Sequence, residues 1–302
     1  MDYFFSRRTY DQTSHRFNNN VSAITRYVGL GPASDGQSSG GLFDAVKWAK
    51  AVGKQSKNGE ILIFVHGFNT PQDLFLRRLR QIKRKVVARG FRGAVTGFDW
   101  PSHAKGSWSG YKSDRRRAEK IAQFLVLDGI KLLRKHNPGC KIHLMAHSMG
   151  TYVSSLGLSR VGDHHGVGKI EQAIHIAADL NHETMMQGAG FALVWDRRCK
   201  RLTNYYSKWD EVLELSEQTV NFNKKRSGRH GIRTNAPTRF EDVSVSDRFH
   251  EAIEKRKRTW IYSHNWHFDD DRFVDDTVAV LGGKSKSAIP TRKDFGGSDQ
   301  RI

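Results

Sequence analysis

Cysteine is scarce in this chain of 302 residues: Cys140 and Cys199 are the two it has, at or near the starts of expected strands and without metal or redox spacing. They read as core thiols. No apolar run approaches the roughly 20 residues that a membrane helix requires. The first eight residues place aromatics ahead of their two arginines and contain no apolar core of the kind a secretory signal needs. The chain therefore reads as soluble and, by default, cytoplasmic. Metal ligands at useful spacing are also lacking. His164 and His165 follow Asp163 in a loop sequence rather than on rigid elements, so neither a metal nor another cofactor is expected. Acidic residues are comparatively few, with 31 Asp and Glu against 50 Lys and Arg, a formal charge of +19. Such an excess favours attraction to nucleic acid, anionic lipid or acidic substrates and says nothing about fold.

What is present begins with the segment Lys141 to Gly150, KIHLMAHSMG, which reads as a buried strand turning sharply into a helix around Ser148. Small residues two positions either side of a serine, here Ala146 and Gly150, let a strained turn close and lift the hydroxyl clear. Upstream, Glu60 to Thr70 reads EILIFVHGFNT, a short apolar run cut off by His66 and Gly67. A run so short and so apolar marks a central strand of a parallel sheet, buried on both faces.

Between and beyond these segments helix and strand alternate. A helix is expected through Trp48, then the strand Ile61–Val65, a helix over 71–89 and a strand over Ala94–Phe98. Ser113 is placed to cap a long helix on which Ile121, Phe124, Leu125 and Leu132 share a face, ending before Asn137. Later strands are expected over 172–178, 201–206 and 240–245, with a final helix over 271–281. Alternation of this kind predicts an α/β fold, a mostly parallel sheet flanked by helices on both faces. The expected boundaries are an amino-terminal edge hairpin and flexible connection over 1–40, the main domain over 41–282 and a disordered basic tail over 283–302. Three concentrations of positive charge stand out. Arg77, Arg78, Arg80, Lys83, Arg84 and Lys85 alternate with Leu76, Leu79, Ile82 and Val86 and read as a solvated helix face. Residues 224–233 read as a mobile basic loop, and Arg115 to Arg117 open the helix expected from Ser113, an unfavourable place for cations.

With both the strand-HGFN and strand-AHSMG segments in place, the chain resembles the α/β-hydrolase superfamily. The order HGFN, then Phe98 to Ser102, then AHSMG is similar to a bacterial hydrolase-fold family without an assigned substrate, over about 41–283. The resemblance implies a serine nucleophile at Ser148 and an oxyanion hole made by the backbone N–H groups of Phe68 and Met149. It implies an acid after the next-to-last strand, where Asp210 stands; Asp179 at the end of the preceding strand is the rival, and Glu211 would point away. The base is expected between the last strand and the last helix, at His264, with His267 as runner-up. Of the remaining histidines, His66 is expected to shape the oxyanion turn through its backbone and His147 to fill a permissive elbow position. Asp99, Trp100 and Ser102 are candidates for the pocket mouth, or for a rigid turn behind it. Residues 181–199, with Met185, Met186, Phe191 and Trp195, could cap an acyl chain or pack into the core.

Two functions are compatible with these residues. One is a serine esterase acting on a small acyl ester. The other is a basic hydrolase-fold protein that binds nucleic acid or an anionic surface with little or no catalysis, although its cations lack aromatic interleaving or a recognised module. The oligomeric state is left open.

Overall fold

The computed structural model describes residues 1–31, 40–102, 107–162, 166–232, 236–294 and 299–302. The expected turns at 34–39 and around His164 and His165 lie outside the described residues. The strands are β1 (Asp2–Asp11), β2 (Arg16–Leu30), β3 (Gly40–Phe43), β4 (Glu60–Val65), β5 (Ala94–Asp99), β6 (Lys141–His147), β7 (Ile170–Ile176), β8 (Cys199–Tyr206), β9 (Phe240–Ser244), β10 (Lys293–Asp294) and β11 (Gln300–Arg301). They form one sheet in the order β10-β11-β9-β8-β7-β6-β4-β5-β1-β2-β3. From β11 to β1 every pairing is parallel, and antiparallel pairings occur only at the two margins.

The helices are α1 (Ala45–Gln55), α2 (Gln72–Ala88), α3 (Trp108–Phe124), α4 (Lys131–His136), α5 (Met149–Arg160), α6 (Gly190–Arg198), α7 (Glu211–Gln218), α8 (Ser227–His230), α9 (Ser246–Ala252), α10 (Trp260–Ser263) and α11 (Asp271–Leu281). A π-helical segment, Leu125–Ile130, joins α3 to α4. Strand β4 shows why both faces must be covered. Ile61, Ile63 and Val65 point into one core with Trp48 of α1, Ile121 of α3, Val153 of α5 and Trp195 of α6. Leu62 and Phe64 point into the other with Phe75 of α2, Phe249 of α9 and Val280 of α11. Two-residue periodicity thus becomes two apolar layers, each worth about 1.5–3 kcal/mol per fully buried side chain.

The structure revises three expectations. Ser107, not Ser113, caps α3: its hydroxyl accepts from the Gly110 N–H, so Arg115 to Arg117 lie more than a turn inside the helix. There Arg115 lies over the Tyr152 ring at 4.1 Å and Arg117 pairs with Asp114 at 3.0 Å, which removes the conflict with the helix dipole. The basic segment from Lys224 is not a free loop, since Arg226 is buried and Ser227–His230 form α8. The amino-terminal hairpin of β1 and β2 stands toward one edge of the sheet, where β1 lies parallel to β5 from Tyr3 to Ser6.

The third revision concerns the tail. Instead of disorder, β11 pairs with β9, Ile289 and Ile302 are buried, and the Arg292 side chain is wholly enclosed. Arg292 donates from Nε and Nη2 to the buried Asp276 carboxylate and from Nη1 to Glu241 at 3.0 Å. A low count of apolar residues hid this, because the segment is held by a buried ion pair as well as by its two isoleucines. Removing one partner of such a pair leaves a buried charge without its counterion. Arg292→Met is expected to destabilise the protein by about 3–5 kcal/mol in urea denaturation. An unchanged midpoint would show that the tail adds nothing to the fold.

Candidate active site

Ser148 lies between β6 and α5 with φ 54° and ψ −127°, a conformation that costs a non-glycine residue free energy and that only dense surroundings can maintain. Those surroundings are visible. The Ser148 N–H donates to the Ile176 carbonyl at 3.0 Å, and its own carbonyl accepts from Asp179 N–H at 3.3 Å, Thr151 N–H at 3.0 Å and the Thr151 hydroxyl at 2.6 Å. Across the turn, a Cβ at Gly150 would lie 2.4 Å from the Val65 carbonyl oxygen and 2.6 Å from that of His66. A Cβ at Gly67 would lie 2.7 Å from Cβ of Ser148. Only hydrogen fits at these two positions, and the HGFN turn is thereby held against the serine.

Phe68 and Met149 follow Gly67 and Ser148 directly. Their backbone N–H groups donate to no acceptor among the described residues, and Met149, as first residue of α5, has no intrahelical acceptor to meet. Two backbone donors are thereby left open, one directly after Ser148 and one directly after Gly67.

Asp210 sits at the end of the loop after β8 and caps α7, with Oδ1 accepting from Leu213 N–H at 2.9 Å. Its Oδ2 lies 2.7 Å from Nδ1 of His264, and its side chain is 0 % exposed. With a carboxylate as partner, Nδ1 of His264 carries the proton and Nε2 is left as the basic nitrogen. His264 and Ser148 border the same cavity, of about 820 Å³. Its apolar wall comes from Phe68, from Val212 and Leu215 of α7, and from Trp260 and Ile261 of α10.

The rival residues are otherwise engaged. Asp179 is buried against Arg226, whose Nε donates to Oδ1 at 2.8 Å, and Oδ2 accepts from the Tyr111 hydroxyl at 2.6 Å. Burial raises its carboxyl pKa, but Arg226 and the Tyr111 hydrogen bond outweigh this and hold it below the usual range. His267 lies between Trp266 and Phe273, buried, with neither ring nitrogen hydrogen-bonded to a described residue. Glu211 starts α7 and does not border the cavity.

Asp99, Trp100 and Ser102 are buried and do not border the cavity; they brace the HGFN turn from behind. Arg8 of β1 donates from Nε to Asp99 at 2.7 Å and from Nη2 to the Thr70 carbonyl at 2.7 Å. Trp100 stacks on the His66 ring, its indole N–H donates to the His66 carbonyl at 2.8 Å, and its backbone N–H donates to Nε2 of His66 at 3.1 Å. Nδ1–H of His66 is then free to donate to the Gly67 carbonyl at 3.1 Å, so the ring is neutral, in keeping with the downward push of burial on its pKa. The His66 side chain shapes the turn as much as its backbone does. In 181–199, Met185 and Trp195 are core residues, and no residue of that stretch borders the cavity.

Sequence reasoning missed two residues. His147 donates from Nε2 to the His264 carbonyl at 2.9 Å, tying the elbow to the histidine loop. Arg78, read as solvated, turns into the cavity wall. The pattern offered no signal for His147; Arg78 stands three residues past Phe75 and four past Leu74, on the inward side of α2, which was a signal of sorts. Among the described residues no cluster of His, Cys, Asp or Glu is arranged to hold a metal, and no helix is long and apolar enough to cross a membrane.

A family model described as alpha/beta hydrolase of unknown function (DUF900) matches residues 43–244, well over half of the chain. No curated protein matches at a significant level. Solved structures that resemble the chain include TT1662 from Thermus thermophilus, 14% identical over 85% of this chain and 97% of that one, with a TM-score of 0.46. A lipase-esterase related protein from Clostridium acetobutylicum is 12% identical over 75% of this chain and 95% of that one, at 0.39. MenH from S. aureus is 13% identical over 75% and 93%, at 0.31.

Four histidines near or beneath the site make the fold sensitive to acid. Burial pushes His143 down to about 4 and His175 and His267 down to about 3, and it holds His147 well below the ordinary range with help from His264 and Arg78. In the unfolded chain each takes up a proton below about pH 6.5, whereas in the folded chain each stays neutral until far lower. The unfolded state then binds more protons, and each such histidine removes about 1.4 kcal/mol of stability per pH unit. The urea midpoint is expected to fall steeply from about pH 6.5 to about pH 5. A flat profile over that window would mean that these rings are charged or exposed in the native state.

Proposed function

The chain belongs to the family of alpha/beta hydrolases of unknown function, and we propose that it is a serine hydrolase that cleaves carboxylic esters through an acyl-enzyme on Ser148. The observation that carries this reading is the 2.7 Å contact between a fully enclosed Asp210 and Nδ1 of His264, at a cavity that Ser148 also borders. An aspartate so placed keeps the imidazole in the tautomer whose Nε2 can accept a proton and stabilises the imidazolium once formed.

In the first step Ser148 Oγ bonds to the ester carbonyl carbon while its proton passes to His264 Nε2, and the carbonyl oxygen takes up negative charge beside the N–H groups of Phe68 and Met149. Collapse breaks the bond to the leaving alcohol, which receives the proton from His264. Water then attacks the acyl-enzyme, giving its proton to His264. The bond to Ser148 breaks, the proton returns to Oγ, and the acid leaves. The apolar wall of the cavity suits an acyl group of short or medium length, and no cofactor enters the scheme. The reading includes a location in the cytoplasm.

The structure does not add weight to polyanion binding as the main function. On α2 and at its C-cap, Arg80 and Lys83 pair with Asp2, Lys85 and Arg89 with Asp271, and Arg89 also with Asp275, so much of the charge there is matched internally.

A fluorophosphonate probe is expected to label the wild type on Ser148 and to leave Ser148→Ala unlabelled. Asp210→Asn is expected to lower kcat by about 10⁴ with little change in thermal midpoint, because the amide favours the wrong tautomer. Equal labelling of wild type and Ser148→Ala, or full activity in Asp210→Asn, would overturn the assignment.

A further inference from the structure

Arg78 is the group in the cavity that ester hydrolysis as just described does not use. It reaches the wall from α2, partly buried, with its guanidinium carbon 4.5 Å from the centre of the Phe268 ring. Its Nη2 donates to the Asn265 side-chain oxygen at 2.7 Å. Among the described residues that is its only hydrogen bond, and it forms no ion pair. Burial pulls its pKa down to about 10, and the more distant charge of Asp269 only partly offsets this. Asp269 is itself engaged, accepting from Gln81 Nε2 at 2.6 Å and from the Tyr262 hydroxyl at 2.9 Å. A cation partly withdrawn from water favours an anion at contact distance, and among the described residues no carboxylate forms an ion pair with this arginine, Asp269 acting on it only from farther away.

Its position says where that anion would be. Asn265 directly follows His264, and the charge of Arg78 is felt by His147, next to Ser148. The guanidinium therefore borders the same cavity as Ser148 and His264. A carboxylate matches the planar fork of donors and its single charge. A phosphate monoester would bring close to two negative charges onto a wall that already holds Asp269. We propose that the cavity selects esters carrying a free carboxylate a few carbons from the scissile carbonyl, such as half-esters of short dicarboxylic acids, and that Arg78 binds that carboxylate. This rests on the hydrolase reading above and narrows its substrate class. The net charge of +19 would assist by drawing such anions to the surface.

The test compares mono-p-nitrophenyl glutarate with p-nitrophenyl pentanoate, esters of equal length that differ in the terminal carboxylate. Wild-type kcat/KM is expected to favour the glutarate by about 10- to 100-fold, the range expected of a hydrogen bond to a charged group. In Arg78→Met that ratio is expected to fall to about one, with Arg78→Lys between. A loss common to both esters, as from a disturbed Asn265, cancels in the ratio. A wild-type ratio near one, a ratio that survives in Arg78→Met, or a stronger preference for the analogue ending in phosphate would each overturn the proposal. Calorimetric titration of Ser148→Ala protein with monomethyl glutarate and with methyl pentanoate needs no turnover. Tighter binding of the glutarate that disappears with Arg78→Met supports the carboxylate site even if Ser148 proves unreactive, and equal affinities overturn it. Absence of labelling and of any ester turnover in the wild type strikes the hydrolase reading and leaves this binding comparison to decide on Arg78.

Discussion

The contact on which the site depends is the approach of two backbone turns at Gly67 and Gly150. The Val65 and His66 carbonyls lie where a side chain on Gly150 would start, and Cβ of Ser148 lies where one on Gly67 would start. Close packing admits no compromise here: an added methyl must either displace a carbonyl of a central strand or push the elbow away. Two loops separated by some eighty residues of chain are thereby fixed against one another. The same crowding confines Ser148 to its positive φ, which local sequence alone would not favour. Strain of this kind persists because the parallel pairings of β4 with β6 and β6 with β7 hold both ends of the turn in register.

Behind this contact stands a second layer, supplied by the amino terminus. Arg8 enters from β1 and is wholly enclosed, with one nitrogen on Asp99 and another on the Thr70 carbonyl. A guanidinium in that place does two things at once. It neutralises the carboxylate at the end of β5 and fixes the backbone three residues after Gly67. Asp99 in turn accepts from Ser6 at 2.9 Å and Gln72 at 3.0 Å, linking β1, β5 and the start of α2. The first strand is therefore part of what holds the HGFN turn in place.

The α/β class, the order of strands from β4 to β9 and the α11 boundaries were legible because short apolar runs and helical periods carry them directly. Ser148 and the HGFN turn were legible for a different reason: glycine at 67 and 150 leaves a trace wherever backbone must touch backbone. The places of Asp210 and His264 came from chain order in a resembling superfamily, and Asp179 remained open because a carboxylate after a strand looks alike in both positions. What separates them is Arg226, a residue 47 positions from Asp179 whose segment, rich in glycine and cation, reads as loop. The tail was misread for a similar reason. Composition reports how much apolar surface a segment can bury, whereas Arg292 is held by the charge of Asp276, which no local window contains. The start of α3 was set too late because the residues before it, 103–106, contribute no apolar period and Ser107 is one serine among several.

The buried carboxylates offer a reason, independent of motif, for locating chemistry at Asp210. Asp99 is matched by Arg8, Asp179 by Arg226, Asp270 by Arg248 and Asp276 by Arg292. An arginine keeps its proton at any physiological pH, so each of these pairs is fixed in charge and serves only to hold parts together. Asp210 is enclosed as completely as any of them, yet its side chain meets an imidazole and a backbone N–H. An imidazole can take a proton and give it back, and the energetic argument for burying a carboxylate then shifts from holding to switching. Arg78 is the converse case, an arginine turned inward without a carboxylate of its own. Not every buried acid is matched in this way: Asp242 accepts from the Asn204 side chain and the Ile232 N–H, and Glu217 also meets an imidazole, that of His230, at 3.0 Å. What sets Asp210 apart is that its imidazole partner borders the same cavity as Ser148 and Arg78.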